Sequence, residues 1–313
     1  MRPLENSRDL NITRLYNVTI ANFWAAWSDE TQKRQWWGPR GFSITTESMD
    51  FCEGGNWNYT MHAPDGQNIP NATTFIKIIP MKELIYDHGG KIGEKPLFRV
   101  HIHLNEVNNQ TEMKMKMTFE SPEIAKRMAV FIKDANGNST WDRLGEYLCD
   151  TYQHRKIFRL DRVFEADIGK LYQLFVDKEA VEKWQPPIGF FMKIRSGSVA
   201  VGDHIFYEMG NGDFSLFGRS TYLVIKKSEC IEFLQEFCDE YGNIAKHPGA
   251  PIWPKQWKTS VNFYSEGEKL TRISLISELL PETKDDECDA FINERVGMMN
   301  GWNGSLDRLE NLI

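Results

Sequence analysis

The chain has 313 residues, which favours two domains, because a single hydrophobic core rarely grows beyond roughly 250–300 residues. Hydrophobic residues make up 41% and charged residues 26%, a composition that excludes a disordered chain. The net charge of −7 comes without a basic stripe, so the sequence argues against a nucleic-acid partner.

The sequence shows neither a membrane span nor an export signal. A spanning helix needs about 18 consecutive apolar residues, which no segment reaches, and no apolar leader follows the first methionine. The five cysteines include no CxxC pair and match neither a disulfide framework nor a zinc motif. We therefore expect a protein of the reducing cytoplasm.

The first half of the chain begins with a strand and then one or two short helices. Residues 13–20 are rich in β-branched and aromatic side chains, which is typical of a strand. Residues 22–35 carry aromatic side chains at helical spacing, with a break expected near Asp29. Gly38 and Pro39 cannot continue a helix, so they end this segment.

The rest of the first half predicts strands and a final helix. In the segment MKMKMTF, methionines alternate with lysines, so one face of the strand is apolar and the other polar. This alternation is typical of an antiparallel sheet with one covered face. Residues 122–148 predict a mostly helical stretch, interrupted at residues 136–138. We expect a curved sheet that packs its apolar face against the helices.

The second half repeats the first. A shift of 148 residues pairs Trp36 with Trp184 and aligns the halves without a gap over about 50 positions. Near the end of each half the sequence DRL recurs, at residues 142–144 and 307–309. The chain is therefore predicted to hold two copies of one module.

We place the first copy at residues 1–153 and the second at residues 154–313. The second copy carries an insertion near residues 239–257, rich in proline and tryptophan, that replaces a shorter connection in the first. We expect this insertion to cover a cavity mouth or to seal the interface between the copies.

Three motifs in each copy carry a resemblance to a known family. The first copy reads TRLYNVTIANFWAAWSDETQKRQWWGPRGF, then EGGNWNYTM, then STWDRLGEYL. The second reads DRVFEADIGKLYQLFVDKEAVEKWQPPIGF, then VGDHIFYEM, then GMMNGWNGSLDRLENL. These motifs resemble the activator of heat-shock-protein-90 ATPase homologue-like family of the START-like, helix-grip (SRPBCC) superfamily. The second copy departs from the pattern where it reads WQPP and GD.

The resemblance implies an α+β fold with two tandem helix-grip domains. Each would be a curved antiparallel sheet wrapped around a long C-terminal helix, with two short helices after the first strand. It also implies a cavity between sheet and helix, which in the superfamily holds lipids, polyketides or other hydrophobic molecules. A few members of the superfamily are enzymes, and many have no assigned activity.

The apolar strand faces supply the candidate cavity walls, with core packing as the ordinary alternative. Alternating methionines suit an irregular cavity, because methionine adapts its shape. Tyr59 and Tyr207 occupy equivalent places and are candidates to hydrogen-bond either a ligand or the backbone. The candidates in the first copy are Trp57, Tyr59, Met61, Phe98, Ile102, Met115 and Met117. Those in the second are Ile205, Tyr207, Met209, Trp257 and Phe263.

Trp36, Trp37 and Trp184 form a second group of candidates, as a cavity gate or a partner contact. We expect that the adjacent pair, Trp36 and Trp37, does not face one core together. The alternative is a hydrophobic plug that fixes the turn from helix to strand.

No metal or cofactor site is predicted. His101 and His103 share one strand face but have no third ligand nearby in sequence. Cys230 and Cys238 match no metal spacing. The sequence contains no P-loop, no GxGxxG, no HExxH and no motif for a catalytic triad.

An arginine recurs at the same place in the first strand of each copy, as Arg14 and Arg162. Because one face of this strand must be buried, we expect the arginine either to pair with an acid of the sheet or to lie on the outer face. Asp50 and Glu53 are the candidate acids in the first copy.

The leading hypothesis is binding of a hydrophobic or amphipathic small molecule in one or both cavities, with no catalysis. One alternative is a co-chaperone-like partner of a heat-shock ATPase, although the family's founding members carry a different amino-terminal domain that we do not recognise here. The other is a cyclase or hydrolase, which would need a buried acid or base. The sequence offers only tyrosines, Glu208 or Asp87 for that role. The ligand and the oligomeric state stay open.

Overall fold

The computed structural model describes residues 7–89, 91–134, 139–152, 157–267 and 269–313. Contacts between residues divide the chain into two compact units, Met1–Gln153 and His154–Ile313. Each unit contains one seven-stranded antiparallel sheet and the same order of elements, which confirms the α+β fold in two tandem domains. Among the described residues, no helix combines the length and apolar character that crossing a membrane requires.

The first unit contains seven strands and four helices in its described residues. They are β1 (Asp9–Tyr16), α1 (Ile20–Ser28), α2 (Glu30–Trp36), β2 (Ser43–Met49), β3 (Asn56–His62), β4 (Asn68–Ile79), β5 (Glu83–Gly89), β6 (Phe98–Val107), β7 (Gln110–Thr118), α3 (Pro122–Asp134) and α4 (Ser139–Tyr152). The predicted interruption of the final helix at 136–138 lies outside the described residues.

The second unit repeats this order. Its elements are β8 (Ile157–Phe164), α5 (Ile168–Val176), α6 (Lys178–Trp184), β9 (Phe191–Gly197), β10 (His204–Gly210), β11 (Ser215–Lys226), β12 (Cys230–Cys238), β13 (Gln256–Gly267), β14 (Leu270–Leu279), α7 (Asp285–Asn293) and α8 (Arg295–Glu310).

Both sheets have the same topology. In the first unit the order is β1-β7-β6-β5-β4-β3-β2, so the first strand closes the meander by pairing with the last one. The apolar members of each alternating strand face inward, where they pack against the helices in one core per unit. The alternation seen in the sequence thus selects the face of the sheet that the helices cover.

Side-chain caps separate the two short helices after the first strand. Asp29 ends α1, and its carboxylate accepts a hydrogen bond from the Gln32 backbone N–H at 2.9 Å, which caps α2. This confirms the break expected at Asp29. The strand predicted at 13–20 was placed too late: β1 ends at Tyr16 because Thr19 already caps α1, accepting from Asn22 N–H.

Trp36 and Trp37 lie in the same core, so the expectation that they could not was wrong. Both are buried, and their rings pack edge to face with centroids 5.4 Å apart. The expectation failed because the chain changes direction after Trp36, the last residue of α2. The Trp36 indole N–H donates to the Ala26 carbonyl at 3.1 Å, and Trp184 makes the equivalent bond to Leu174 at 2.9 Å.

The arginine of the first strand pairs with the final helix. Arg14 lies on the inner face of β1, and its Nη1 is 3.0 Å from Oδ1 of Asp142 on α4, with both side chains 5% exposed. The expected pairing with Asp50 or Glu53 was wrong, because the inner face of β1 is turned towards α4 rather than along the sheet. Arg162 makes the equivalent contact with Asp307 on α8, at 2.6 Å and in a more exposed setting.

A second arginine joins the final helix to the turn that follows α2. Nη1 of Arg143 on α4 donates to the carbonyls of Gly38, Pro39 and Phe42 at 2.8, 2.9 and 3.1 Å. Arg308 on α8 does the same for the equivalent turn of the second unit. In each unit the aspartate of the DRL motif therefore joins the final helix to the first strand, and the arginine joins it to the turn after the second short helix.

Candidate functional site

The first unit contains a cavity of about 320 Å³ between its sheet and its helices. Strands β3 to β7 provide one wall, the turn after α2 provides a second, and α3 and α4 provide the third. The residues that line it are Trp37, Gly38, Pro39, Phe42, Tyr59, Met61, Ile69, Asn71, Tyr86, His88, Leu97, Phe98, Val100, Met115, Met117, Met128, Phe131, Ile132, Thr140 and Trp141.

Five of the seven cavity candidates from the first copy line this space. They are Tyr59, Met61, Phe98, Met115 and Met117. Trp57 and Ile102 lie in the core instead, each only 1% exposed. Trp57 stacks on Tyr59 with ring centroids 3.9 Å apart, and Ile102 lies between Leu84 and Met115 in the strand register. The alternation identified the inward face of each strand, but it does not show which inward side chains reach the cavity and which lie in the core.

Of the gate candidates in the first copy, only Trp37 reaches the cavity. Its indole N–H donates to the Tyr59 hydroxyl oxygen at 3.0 Å, which fixes both side chains in the wall. Trp36 is fully buried behind it. Because neither Trp36 nor Trp184 is more than 3% exposed, neither presents a surface to a protein partner.

The turn after α2 requires a glycine in the first unit. Gly38 has a φ of +98°, and a Cβ placed there would lie 3.0 Å from the Met61 methyl carbon. The second unit has Pro186 at the corresponding position, and proline fixes φ near −65°. The backbone of this turn, which forms one wall of the cavity in the first unit, therefore has a different conformation in the second unit.

Polar side chains of the cavity lie on β3 and β5, with Asn71 on β4 and Thr140 on α4. Burial raises the pKa of the Tyr59 and Tyr86 hydroxyls above the usual tyrosine range, so both stay protonated. Burial also lowers the pKa of His88 to about 4, so its imidazole is neutral at pH 7. Arginine, lysine, aspartate and glutamate are absent from the described lining residues.

Tyr86 and His88 were missed by the sequence analysis. The sequence analysis assigned no strand to the segment ELIYDHG, although Leu84, Tyr86 and His88 recur at the period of a strand. That alternation is the signal that could have found them. Met128, Phe131 and Ile132 on α3 were also missed, and Phe131 is 62% exposed where it lines the mouth.

A buried lysine lies next to the cavity wall. Lys33 on α2 is 2% exposed, and its Nζ lies 4.0 Å from the ring centroid of Trp57 and 4.9 Å from that of Trp37. Burial lowers its pKa well below the usual lysine range. The position aligned with Lys33 in the second copy is Val181, so this aromatic surrounding of an amine belongs to the first copy alone.

The described residues of the second unit line smaller spaces at the corresponding place, and we call this the filled unit. Its enclosed space measures about 20 Å³, room for about one water molecule, and a more open groove beside α8 measures about 190 Å³. Trp184 lines this small space, whereas Ile205, Tyr207, Met209, Trp257 and Phe263 line neither it nor the shallow groove beside α8.

Larger and polar side chains explain the difference. In the strand register Trp257 stands where the first unit has Phe98, and its indole N–H donates to the Gln235 amide oxygen at 2.9 Å. Gln235 also accepts from the Thr259 hydroxyl at 2.5 Å. The side chains of Gln235, Trp257 and Thr259 therefore hydrogen-bond to one another and occupy this part of the interior.

The insertion of the second copy packs onto this filled region. Its Trp253 contacts the ring of Trp257 at 6.2 Å and that of Phe291 on α7 at 5.7 Å. His247, also from the insertion, packs against Phe237 with ring centroids 4.8 Å apart. The insertion therefore adds aromatic side chains between β13 and α7.

The acids considered for catalysis do not reach the cavity. Asp87 lies on the outer face of the sheet, where it pairs with Arg99 at 2.7 Å, and Glu208 pairs with Arg195. His101 is bound to Glu83 at 2.8 Å on the same outer face. Within the described ranges, no group of three or more histidine, cysteine or acidic residues is arranged to hold a metal ion.

Comparison with known proteins finds similar solved structures and a matching family. The chain resembles solved structures from Chromobacterium violaceum (23% identity, 51% of this chain and 98% of that one, TM-score 0.40) and Nitrosomonas europaea (21%, 47% and 97%, TM-score 0.43). It also resembles one from Arthrobacter aurescens (25%, 47% and 88%, TM-score 0.43). The comparison with curated proteins finds no match.

The family model described as activator of Hsp90 ATPase homolog 1-like protein matches the chain twice, at residues 17–149 and 165–313. These two matches cover most of the chain, one in each unit. The chain therefore belongs to the activator of Hsp90 ATPase homolog 1-like family, and it carries the family's helix-grip module in two tandem copies.

Proposed function

We propose that the first unit binds a hydrophobic small molecule in its cavity and that the second unit does not. The observation that carries this proposal is a contrast between the described residues of the two copies: a cavity of about 320 Å³ lies between the sheet and helices of the first, whereas the second has an enclosed space of about 20 Å³ and a more open groove of about 190 Å³ beside α8. Because both copies have the same topology, an open interior is not a necessary consequence of the fold.

The size and lining of the cavity suit a small organic ligand. Pockets of roughly 300–1,000 Å³ with mostly apolar walls and few polar groups are typical of small-molecule sites. Here methionines and aromatic rings form most of the wall, and its few polar side chains include Tyr59, Tyr86 and His88 on β3 and β5. The binding free energy would come from burial of apolar ligand surface, at about 25 cal/mol per Å².

Exposed apolar side chains at the mouth support ligand entry from one side. Phe131, Leu97 and Ile69 are 62%, 54% and 40% exposed, although each also lines the cavity. These side chains form an apolar rim between the interior and solvent, so the apolar surface of an entering ligand would be removed from water in steps.

The test is a titration with 1-dimethylaminonaphthalene, a neutral apolar fluorophore whose emission rises away from water. We expect binding at one site per chain. Phe98→Trp copies the residue of the filled unit, and we expect it to weaken binding by at least about 10-fold, because the added ring occupies the cavity. Phe214→Trp, on the second unit and 37% exposed, is the matched control and leaves binding unchanged.

An unchanged affinity in Phe98→Trp, or no binding to the unaltered chain, would contradict the proposal. Native mass spectrometry of gently purified protein gives an independent check, since a molecule retained by the unaltered chain should be lost from Phe98→Trp. We also propose a cytoplasmic location, which is supported by five cysteines that are all free thiols.

A further inference from the structure

Two polar side chains of the cavity wall have no hydrogen-bond partner among the described residues. Tyr86 and His88 lie on the same face of β5, separated by one residue, and both line the cavity. Tyr86 is only 4% exposed, and the His88 ring packs against Phe98 at 4.8 Å. A tyrosine hydroxyl that lines a cavity and has no partner in the protein is available to a molecule in that cavity.

The second unit shows what happens at these positions when the interior is filled. The strand register places Phe233 where the first unit has Tyr86, and Gln235 where it has His88. Phe233 has no polar group, and the Gln235 amide oxygen is bonded to Trp257 and Thr259. Unpaired polar groups thus occur at these positions in the open unit and are eliminated in the filled one.

A third polar group faces the same space with a hydrogen to donate. The Tyr59 oxygen accepts a hydrogen bond from Trp37 at 3.0 Å, which leaves its O–H free to donate. The wall therefore offers tyrosine hydroxyl donors on β3 and β5 and one imidazole with a donor and an acceptor nitrogen.

The cavity offers no compensation for a charged ligand. The described lining residues include neither a lysine or arginine nor an acid, and the low pKa of His88 keeps its imidazole neutral. The cations near the wall already have other contacts. Lys33 lies against the rings of Trp37 and Trp57, and Arg40, within the turn, pairs with Glu146. The Arg143 guanidinium donates to four carbonyl oxygens of the turn and to that of Gln35. A carboxylate that entered would lose its hydration without gaining an ion pair.

We infer that the ligand is an uncharged hydrophobic molecule with a carbonyl or hydroxyl oxygen, which accepts a hydrogen bond from the Tyr86 hydroxyl beside the His88 imidazole. This inference rests on the proposed ligand-binding function of the first unit. It adds the chemical class of the ligand and the orientation in which its oxygen faces β5.

The experiment compares three fluorophores of nearly the same shape: 6-acetyl-2-dimethylaminonaphthalene, its 6-ethyl analogue and its 6-carboxylate analogue. Each is titrated into the full chain and followed by its own emission. We expect the ketone to bind about 10-fold more tightly than the ethyl compound, the value of one good hydrogen bond. We expect the carboxylate to bind most weakly of the three.

Tyr86→Phe introduces the residue of the filled unit and removes one hydroxyl, so it should make the ketone and ethyl compounds bind equally. Tyr241→Phe, which is 81% exposed, is the matched control and should keep the preference. Equal binding of ketone and ethyl compounds to the unaltered chain, or tightest binding of the carboxylate, would overturn this inference while leaving the proposed function intact. Failure of all three compounds to bind would overturn both.

Discussion

The contact between Arg143 and the turn after α2 gives a testable prediction, and the equivalent contact in the second unit provides its control. Replacing Arg143 by leucine removes a guanidinium whose Nη1 holds the carbonyls of Gly38, Pro39 and Phe42 within 3.1 Å. Those three residues all line the cavity. We therefore expect Arg143→Leu to loosen this wall and to weaken both the stability of the first unit and its ligand binding.

The magnitude follows from the hydrogen bonds that are lost. A hydrogen bond to a charged group contributes about 1.5–3 kcal/mol, and an unsatisfied buried carbonyl costs a similar amount. The turn is partly exposed, so water can replace some of these bonds. We expect a loss of about 2–4 kcal/mol rather than the sum of the individual bonds.

Two variants and two measurements test this reasoning. Arg308→Leu makes the same change in the second unit, where Arg308 holds the carbonyls of Pro186, Pro187 and Phe190. Because two units need not unfold together, amide hydrogen exchange is followed separately for each unit, alongside the fluorophore titration. Arg143→Leu should raise exchange in the first unit and weaken binding, whereas Arg308→Leu should raise exchange in the second unit alone.

Unchanged exchange and binding in Arg143→Leu would refute the role given to this arginine. Equal weakening of ligand binding by both variants would also refute it, because the cavity would then not depend on its own turn.

Two further predictions concern buried charges of the first unit. Asp142→Asn removes the carboxylate that lies 3.0 Å from the buried Arg14 guanidinium and should cost about 3–5 kcal/mol in urea unfolding. Asp307→Asn should cost less than about 1 kcal/mol, because the Arg162 pair is partly exposed; equal costs would contradict the reasoning. Lys33 has a pKa that is lower in the folded than in the unfolded chain, so the unfolded chain binds more protons and stability should rise with pH below the lysine range. Between pH 7 and 9 the unaltered chain should therefore gain stability relative to Lys33→Met, by at most about 1.4 kcal/mol per pH unit, and parallel stabilities of the two proteins would rule this out.

The repeat and the element types followed from the sequence. Period-two alternation in strands such as β7 identified the inward faces, and the cap at Asp29 marked the break between α1 and α2. Five of seven cavity candidates in the first copy lie in the wall for this reason. These features depend on local backbone geometry, which neighbouring residues determine.

Only the tertiary structure decided which copy is open. The sequence made Phe98 and Trp257 candidates for the cavity walls, and the strand register shows that they are equivalent. The volume left beyond them depends on the distance to the facing helix and on which side chains fill it. The tertiary structure also decided that Trp36 and Trp37 share one core and that Arg14 contacts Asp142, 128 residues away. Alternation reports the direction of a side chain, whereas a cavity depends on what lies opposite it, and that is set by packing between elements distant in sequence.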